Sequence, residues 1–526
     1  MGDSDTRTQG LVSRLSRLGQ GGRNKIDPKK GKSNTVSGFD HRAYAADNAD
    51  IAAAYDPDDG AALKSHFDRY GRAEGRGVSV GDYFCIESAV VSEAGDLFLM
   101  GWADRRLLPQ IGIEVDLGYV RHDLGEVVFN WYPRSDVAQK TGDTQRASGF
   151  LVLVRLPDLV PHGKLRFLVN GQVLYQESPV AWQSSDQFLK RVLNKLAVLA
   201  DQPVGATLPA AEQLYPQLQT LWHSFLDQLT FLLAFEYAPK RDITTSIVIA
   251  IYQKADMLLP QLATLAGHLA GRGTEVIVVA NDLVDAQVVR DQLYAFCQIH
   301  DVAVRLYLCS GNSGFSAANN FGAEQARGDV LVFMNPDIFP PEQAPETALT
   351  FLDSDPGDAL HGALLYYGDG LLMHSGMYVA CDIALDARQS QSAHVLRVEH
   401  FGKGVAHWID GDAAQLEPVM APLRDRPVLT TAALWKMRKS VFEKMGGLST
   451  DYLFAYYEDA DFCLRLLQAG HEIKIDETAR WIHMEGVSKP KPPYMRAFMW
   501  LNRALFTRRF RDSDLVASVE TDLHQL

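Results

Sequence analysis

Residues Asn312 to Asp337 constrain the fold of this 526-residue chain more than any other stretch. They read Asn-Ser-Gly-Phe-Ser-Ala-Ala-Asn-Asn-Phe-Gly-Ala-Glu-Gln-Ala-Arg-Gly-Asp-Val-Leu-Val-Phe-Met-Asn-Pro-Asp. A glycine turn leads into a small-residue helix, an Arg-Gly-Asp turn follows, and an apolar strand ends on a carboxylate. A buried parallel strand reads as an unbroken apolar run, which puts Val330 to Met334 in a sheet centre and Asp337 just past its carboxyl edge. Open α/β sheets bind their ligands at that edge. One acidic side chain therefore stands where a phosphate or a metal is held.

The flanking text agrees. From Thr245 the pattern alternates between apolar runs and helical periodicity: Ser246 to Tyr252, a helix through Leu258 to Leu269, Glu275 to Ala280, a helix through Val284 to Ile299, then Val304 to Leu308. This alternation is the signature of an α/β fold with a doubly wound sheet.

A chain this long exceeds a single core, so several domains are expected. Residues 1–36 are rich in Ser, Gly, Lys and Arg without aromatics, and read as a disordered basic tail. Residues 37–77 read as a small helical motif, with Gly71 and Gly75 suited to helix ends. Residues 78–182 change to strand-length runs: Leu97 to Trp102, Ile111 to Val115, Val127 to Tyr132, Phe150 to Val154 and Lys164 to Val169. Asn170-Gly171 is a two-residue hairpin signal, and strands at this spacing predict a β-sandwich. Residues 183–240 read as a helical connector, with Phe188, Val192, Leu196 and Leu199 at helical spacing. Residues 241–490 hold the α/β domain, and 491–526 a C-terminal basic amphipathic helix and tail.

Bulk properties exclude several classes. A net charge of −14 argues against general nucleic-acid binding. Five scattered cysteines without ligand spacing disfavour structural zinc and a disulfide framework, and fit a reducing compartment. No apolar run approaches the roughly 20 residues that span a bilayer. The expected location is cytoplasmic. Lys489 to Arg511 carries seven basic and no acidic residues among Phe498, Trp500, Leu501 and Phe506. Such a helix either lies on a membrane surface as a peripheral contact or packs on the α/β domain with its charges solvated.

Three elements of the α/β domain carry candidate chemistry. The first is Asn335-Pro336-Asp337. The second is Glu458-Asp459-Ala460-Asp461, opening an amphipathic helix in which Asp461 and Arg465 pair at i, i+4. The third is His483, at the end of a short apolar stretch. A strand-end carboxylate with an imidazole suits Mn2+ or Mg2+ held mainly by a substrate diphosphate. A separate carboxylate then serves to deprotonate a hydroxyl.

In this order the elements resemble those of family 2 glycosyltransferases of the GT-A fold. The resemblance covers about residues 241–490: Ser246 to Ile249 as first strand, Glu275 to Val279 as second, Asn312-x-Gly314-Phe315 with Ala317-x-x-Asn320-x-Gly322, and Asn335-Pro336-Asp337 in place of the DxD-type motif. Leu364 to Met377 is similar to a segment of bacterial polysaccharide-building members, and Glu458-Asp459-x-Asp461 with Arg465 to the catalytic helix. The resemblance implies that Asp337 and His483 hold a divalent cation on the donor's diphosphate, and that Asp459 is the general base with Glu458 shaping its position. It implies that Asn281 or Asp282 faces the nucleobase, and that Asn312, Gly314 and Asn320 line the nucleotide site. The implied reaction is transfer from a nucleotide-diphosphate sugar to a hydroxyl of a glycan, lipid-linked or protein acceptor, with inversion at the anomeric carbon. Residues 39–76 are similar to a short helical motif attached to such enzymes.

Three positions depart from the family pattern: Ala250 for Pro, Ala280 for Asp and Thr431 for Gly. They put the nucleobase contacts and acceptor pocket in question but spare Asp337, Asp459 and His483. A second class is a carbohydrate-binding or scaffold protein acting through its β domain, with a degenerate transferase domain. A nucleotidyltransferase is a third, and only Lys254 is available near the first strand to grip phosphate.

Overall fold

The computed structural model describes residues 44–45, 49–56, 58–71 and most of 84–517. Within the last range 105–110, 117–120, 124–127, 139–146, 156–163, 178–181, 387–390, 422–426, 485–492 and a few single or paired positions lie outside the described residues. So do the 1–36 tail, the Asn170-Gly171 pair and the chain beyond 517. The chain divides into two compact units, one of residues 1–85, 106–125 and 162–179, the other of 86–105, 126–161 and 180–526.

The first unit holds helices α1 (Ala49–Ala54) and α2 (Gly60–His66). Asp59 caps α2 by accepting from the Ala62 N–H, and Tyr44, Ile51, Leu63 and Phe67 form a small core. The same unit carries a four-stranded antiparallel sheet. Its pairings include Ile111↔Val169 and Val169↔Gln172. The second unit carries a five-stranded sheet that includes Asp96–Asp104 and Ala147–Arg155, paired along their full length. The strands expected in 78–182 thus fall into two sheets, one in each unit.

Helices α3 (Ser185–Ala200) and α4 (Val204–Leu226) follow, burying Phe188, Val192, Leu196 and Leu199 at the expected period. The helical reading of 183–240 fails at its end. Phe231–Tyr237 is a strand, β1, pairing antiparallel at the edge of the main sheet.

The main sheet is built in the α/β pattern. In chain order its elements are β2 (Thr245–Tyr252), α5 (Leu258–Leu269), β3 (Thr274–Asn281), α6 (Ala286–His300), β4 (Ala303–Cys309), α7 (Gly314–Gln325) and β5 (Val330–Met334). Strand β6 (Ile338–Phe339) follows, then helix α8 (Pro345–Asp353), β7 (Leu360–Tyr366) and β8 (Leu372–His374). After a two-stranded arm, Met377–Asp386 with Gln391–His400, come β9 (Leu434–Arg438), helix α9 (Glu458–Gln468), β10 (Ile473–His483) and helix α10 (Pro493–Phe510).

Strands β2, β3, β4 and β5 run parallel and are buried almost throughout, as their Val/Ile-rich runs require. Beyond β5 the sheet turns antiparallel through β9, then continues through β7, β10 and β6. Gly322 lets α7 approach this sheet: a Cβ there would lie 2.4 Å from Val248 Cγ1.

The C-terminal helix α10 does not present its apolar face outward. Ala497, Phe498, Trp500, Leu501, Leu505, Phe506 and Phe510 are buried in the second unit's main core. Its arginines meet carboxylates: Arg496 with Asp201, Arg503 with Asp382, and Arg509 with Asp451 and Asp461. The helix is thus packed in protein, with three of its arginines paired to carboxylates. No helix among the described residues is long and apolar enough to cross a membrane.

Candidate functional site

The carboxyl edge of the parallel strands gathers most of the candidate residues. Asp337 lies in the turn that ends β5. That turn is fixed from two sides: the Asn335 N–H donates to the Ala433 carbonyl at 2.8 Å, and buried Gln261 of α5 donates to the Asn335 and Ile338 carbonyls at 2.6 and 2.8 Å. Short strand β6 then pairs antiparallel with the end of β10, placing Ile338 opposite His483. In consequence His483 Nε2 stands 3.3 Å from Asp337 Oδ1. Asp337 Oδ1 and His483 Nδ1 are buried and have no hydrogen-bond partner among the described residues. The two atoms that face each other, Asp337 Oδ1 and His483 Nε2, are a carboxylate oxygen and an imidazole nitrogen, a pair that suits a hard or borderline divalent cation. No group of three His, Cys, Asp or Glu among the described residues forms a closed metal cage.

Close to His483 lies a pair of imidazoles. His374 is fully buried, its Nδ1 2.9 Å from His400 Nδ1 and its Nε2 3.4 Å from Thr430 Oγ1. Burial, reinforced by the charges of His400, His483 and Lys403, pushes His374 well below the usual imidazole range and keeps it neutral.

The acidic cluster opens α9, as read from the sequence. Asp461 is fully buried and pairs with Arg465 at 2.7 Å and with Arg509 at 2.8 Å, so it is a structural residue. Glu458 and Asp459 are different. Glu458 is 5% exposed, its Oε2 has no donor among the described residues, and burial followed by the Asp459 charge pushes its carboxyl well above the usual range. Burial raises Asp459 too, against the pull of the Ala460 N–H at 2.8 Å, the Ala432 N–H at 3.4 Å and the Thr431 hydroxyl. Two adjacent desolvated carboxyls do not both ionise readily, and the one with donors keeps the charge. Of the two, Asp459 is the more readily ionised and Glu458 the more readily protonated. Residues Thr430 to Ala433 join the two halves of the site, touching Asp459 through Ala432 and the Asp337 turn through Ala433.

The chain enters α9 through a strained run. Phe454, Tyr456 and Tyr457 have φ of 56°, 77° and 75°, a left-handed backbone that costs a bulky residue about 1–3 kcal/mol at each position. Gly314, also left-handed at φ 75°, packs on this run: a Cβ there would lie 2.6 Å from the Phe454 carbonyl oxygen, which also accepts from the Phe315 N–H.

The nucleotide-side residues divide. Asn312 Oδ1 accepts from the Gly314 N–H at 3.0 Å and shapes the turn into α7. Asn281 is 3% exposed and is occupied by that turn, accepting from the Ser313 N–H and hydroxyl at 3.1 and 2.7 Å. Asp282, next to it and exposed with φ 49°, is the side chain left facing outward. Asn320 spends both ends of its amide on the Leu448 backbone, at 2.8 and 2.9 Å. Sequence reasoning singled out Thr431 only as a departure, and its contact with Asp459 arises from β9 running beside α9.

Residues 246–375 match the family model "Glycosyl transferase family 2". This chain carries a family 2 glycosyl transferase domain. The matched span contains Asn281, Asp282, Gly314, Asn320 and Asp337, while Glu458, Asp459 and His483 follow it. Over 248 residues the chain is 28% identical to the uncharacterized protein y4gI of Sinorhizobium fredii, covering 46% of this chain and 25% of the relative. Over 93 residues it is 28% identical to polypeptide N-acetylgalactosaminyltransferase 3 of Drosophila melanogaster, covering 18% and 14%. The chain thus spans a quarter or less of these curated relatives. Among solved structures it is similar to a mannosyltransferase of Pyrobaculum calidifontis in complex with GDP-Man and Mn2+, with a TM-score of 0.31 and 14% identity over 62% of this chain and 84% of that one. Residues 1–349 of S. aureus TarS give 0.30 and 13%, over 53% and 76%.

Proposed function

We propose that the chain is an inverting, metal-dependent glycosyltransferase that moves a sugar from a nucleotide-diphosphate donor to an acceptor hydroxyl of a cell-surface glycan, glycolipid or glycoprotein. The observation that carries this reading is the separation of two chemistries along one sheet edge: Asp337 with His483 on one side, the Glu458–Asp459 pair on the other. The family match over 246–375 supports the donor half independently.

Asp337 and His483 would hold Mn2+ or Mg2+, with donor diphosphate oxygens and water completing the shell. When bound, the cation supplies Lewis-acid stabilisation of the leaving diphosphate. The remaining roles belong to the protein. Asp459, ionised and held by two backbone N–H groups, accepts the acceptor hydroxyl's proton as its oxygen attacks the anomeric carbon. Glu458, neutral beside it, keeps a second negative charge out of the pocket. The α7 turn at Asn312 and Gly314 forms the wall of the nucleotide site, with Asp282 at its mouth.

Calorimetry of UDP and GDP binding, with and without MnCl2, tests the reading. Metal-dependent binding lost in Asp337→Ala and His483→Ala is the expected result. Nucleotide binding indifferent to Mn2+ and to both substitutions overturns the donor site.

A further inference from the structure

We propose that Asn502, on the C-terminal helix, is a positioning residue for the catalytic carboxylates, acting by clamping the run Leu453 to Tyr457, left-handed at Phe454, Tyr456 and Tyr457, in the conformation that delivers Glu458 and Asp459 to the site. The inference rests on reading Asp459 as the base.

Asn502 is fully buried, and every polar group of its side chain is spent on this one run. Its Oδ1 accepts from the Leu453 N–H at 2.9 Å, and its Nδ2 donates to the carbonyls of Leu453, Ala455 and Tyr456 at 3.0, 2.8 and 3.2 Å. The residues one turn to either side hold the same run by their rings. Phe498 lies 5.5 Å from Phe454 and 6.0 Å from Tyr456, and Phe506 lies 5.2 Å from Tyr457, between ring centroids. Positions 498, 502 and 506 share one helix face.

A non-glycine residue keeps a left-handed backbone only where its surroundings over-determine it, and such strain gathers at functional sites. Here Tyr457 is the residue directly before α9, so its φ sets the direction in which Glu458 and Asp459 leave the chain. If the run relaxes to right-handed or extended backbone, the Asp459 carboxylate swings away from the Ala432 N–H. Phe454 also accepts from Phe315 at the start of α7, so the clamp fixes the carboxylates relative to the nucleotide-side turn. An asparagine serving only to dock the helix would need no more than one or two of these bonds, and none to the carbonyls within the strained run.

The test compares Asn502→Ala with Thr507→Val, which removes a buried bond from the same helix to the Leu396 N–H on the two-stranded arm and none to the strained run. Turnover is followed with a nucleotide sugar chosen from a UDP- and GDP-sugar panel. In Asn502→Ala, kcat should fall about a hundredfold, as for a misplaced reacting group, with Mn2+-dependent UDP or GDP affinity unchanged. The acidic limb of its pH–kcat profile should move to lower pH as water reaches Asp459. Thr507→Val should keep kcat and profile. Adding Tyr456→Gly to Asn502→Ala should recover part of the loss, because glycine holds a positive φ without a clamp. Should Asn502→Ala not fold, Asn502→Ser, which retains a hydroxyl, carries the same comparison. Wild-type kcat and pH profile in the Asn502 variant, or equal losses in Thr507→Val, overturn the proposal. Asp459→Asn at full activity would instead overturn the base assignment beneath it.

Discussion

Replacing Asp459 with Asn separates proton acceptance from position at this site. The amide is isosteric, and its Oδ1 can keep the Ala460 N–H bond now made at 2.8 Å, while its Nδ2 gives up only the longer 3.4 Å contact with the Ala432 N–H. What disappears is the ability to take a proton. General base catalysis contributes about 10²- to 10⁴-fold, which at 1.36 kcal/mol per decade is roughly 2.7–5.4 kcal/mol of transition-state stabilisation. Nucleotide affinity in the presence of Mn2+ should not change, because Asp337 and His483 are untouched. Stability should move the other way. Burial raises both Glu458 and Asp459, so the folded chain holds protons that the unfolded chain has released. Stability therefore falls as pH climbs from the ordinary carboxylate values through the raised ones. The Asp459→Asn change removes one of the two groups and the charge that helps raise the other, so the variant should denature later than wild type at pH 7–8 and equally at acidic pH. Sugar-transfer rates, calorimetry with UDP or GDP, and thermal denaturation across pH read the three consequences. Transfer within threefold of wild type, or nucleotide affinity lost along with transfer, would refute the assignment.

Further consequences follow from the core beneath the site. Lys436 of β9 is fully buried, its Nζ donating to the Phe351 and Ser354 carbonyls at the end of α8, and burial pushes it down to about 8. The unfolded lysine keeps its proton up to about 10.4, so wild-type stability should rise between these values. Relative to Lys436→Met, the gain should approach about 3 kcal/mol from the shift at 1.36 kcal/mol per unit, and a difference that stays flat from pH 7.5 to 10.5 in urea titrations would refute it. Arg305 and Glu275 pair at 2.8 Å and are nearly inaccessible; Arg305→Met strands the carboxylate and should cost about 3–5 kcal/mol, measured by denaturant unfolding. Gly322→Ala pushes a methyl into Val248 and Val279 and should cost about 1–3 kcal/mol in the same assay, while weakening nucleotide binding through the displaced α7.

What the sequence revealed, and what it hid, follows from the range of the forces involved. The parallel strands were legible because burial on both faces leaves no polar position: Val276 to Ala280 and Leu331 to Met334 are all within a few per cent of fully buried. Helix α5 was bounded correctly because its apolar period is local. Strand Phe231–Tyr237 escaped because its partner, Ala303–Cys309, lies some seventy residues on. The same limit governs the site. Asp337 and His483 could be named from their types and order, but only the Ile338↔His483 register brings them together. At Asn281 and Asn320 the sequence cannot separate an amide facing a ligand from one tying down the chain, and in the fold both amides bond to neighbouring turns. Asn502 is the extreme case. In the sequence it is one polar residue in a basic helix, whereas in the fold it is the centre of a Phe-Asn-Phe stripe whose whole hydrogen-bonding capacity goes to a segment fifty residues earlier. Period identifies the faces of helices and strands; which face meets which strained turn is decided by packing, and at this site packing places the carboxylates.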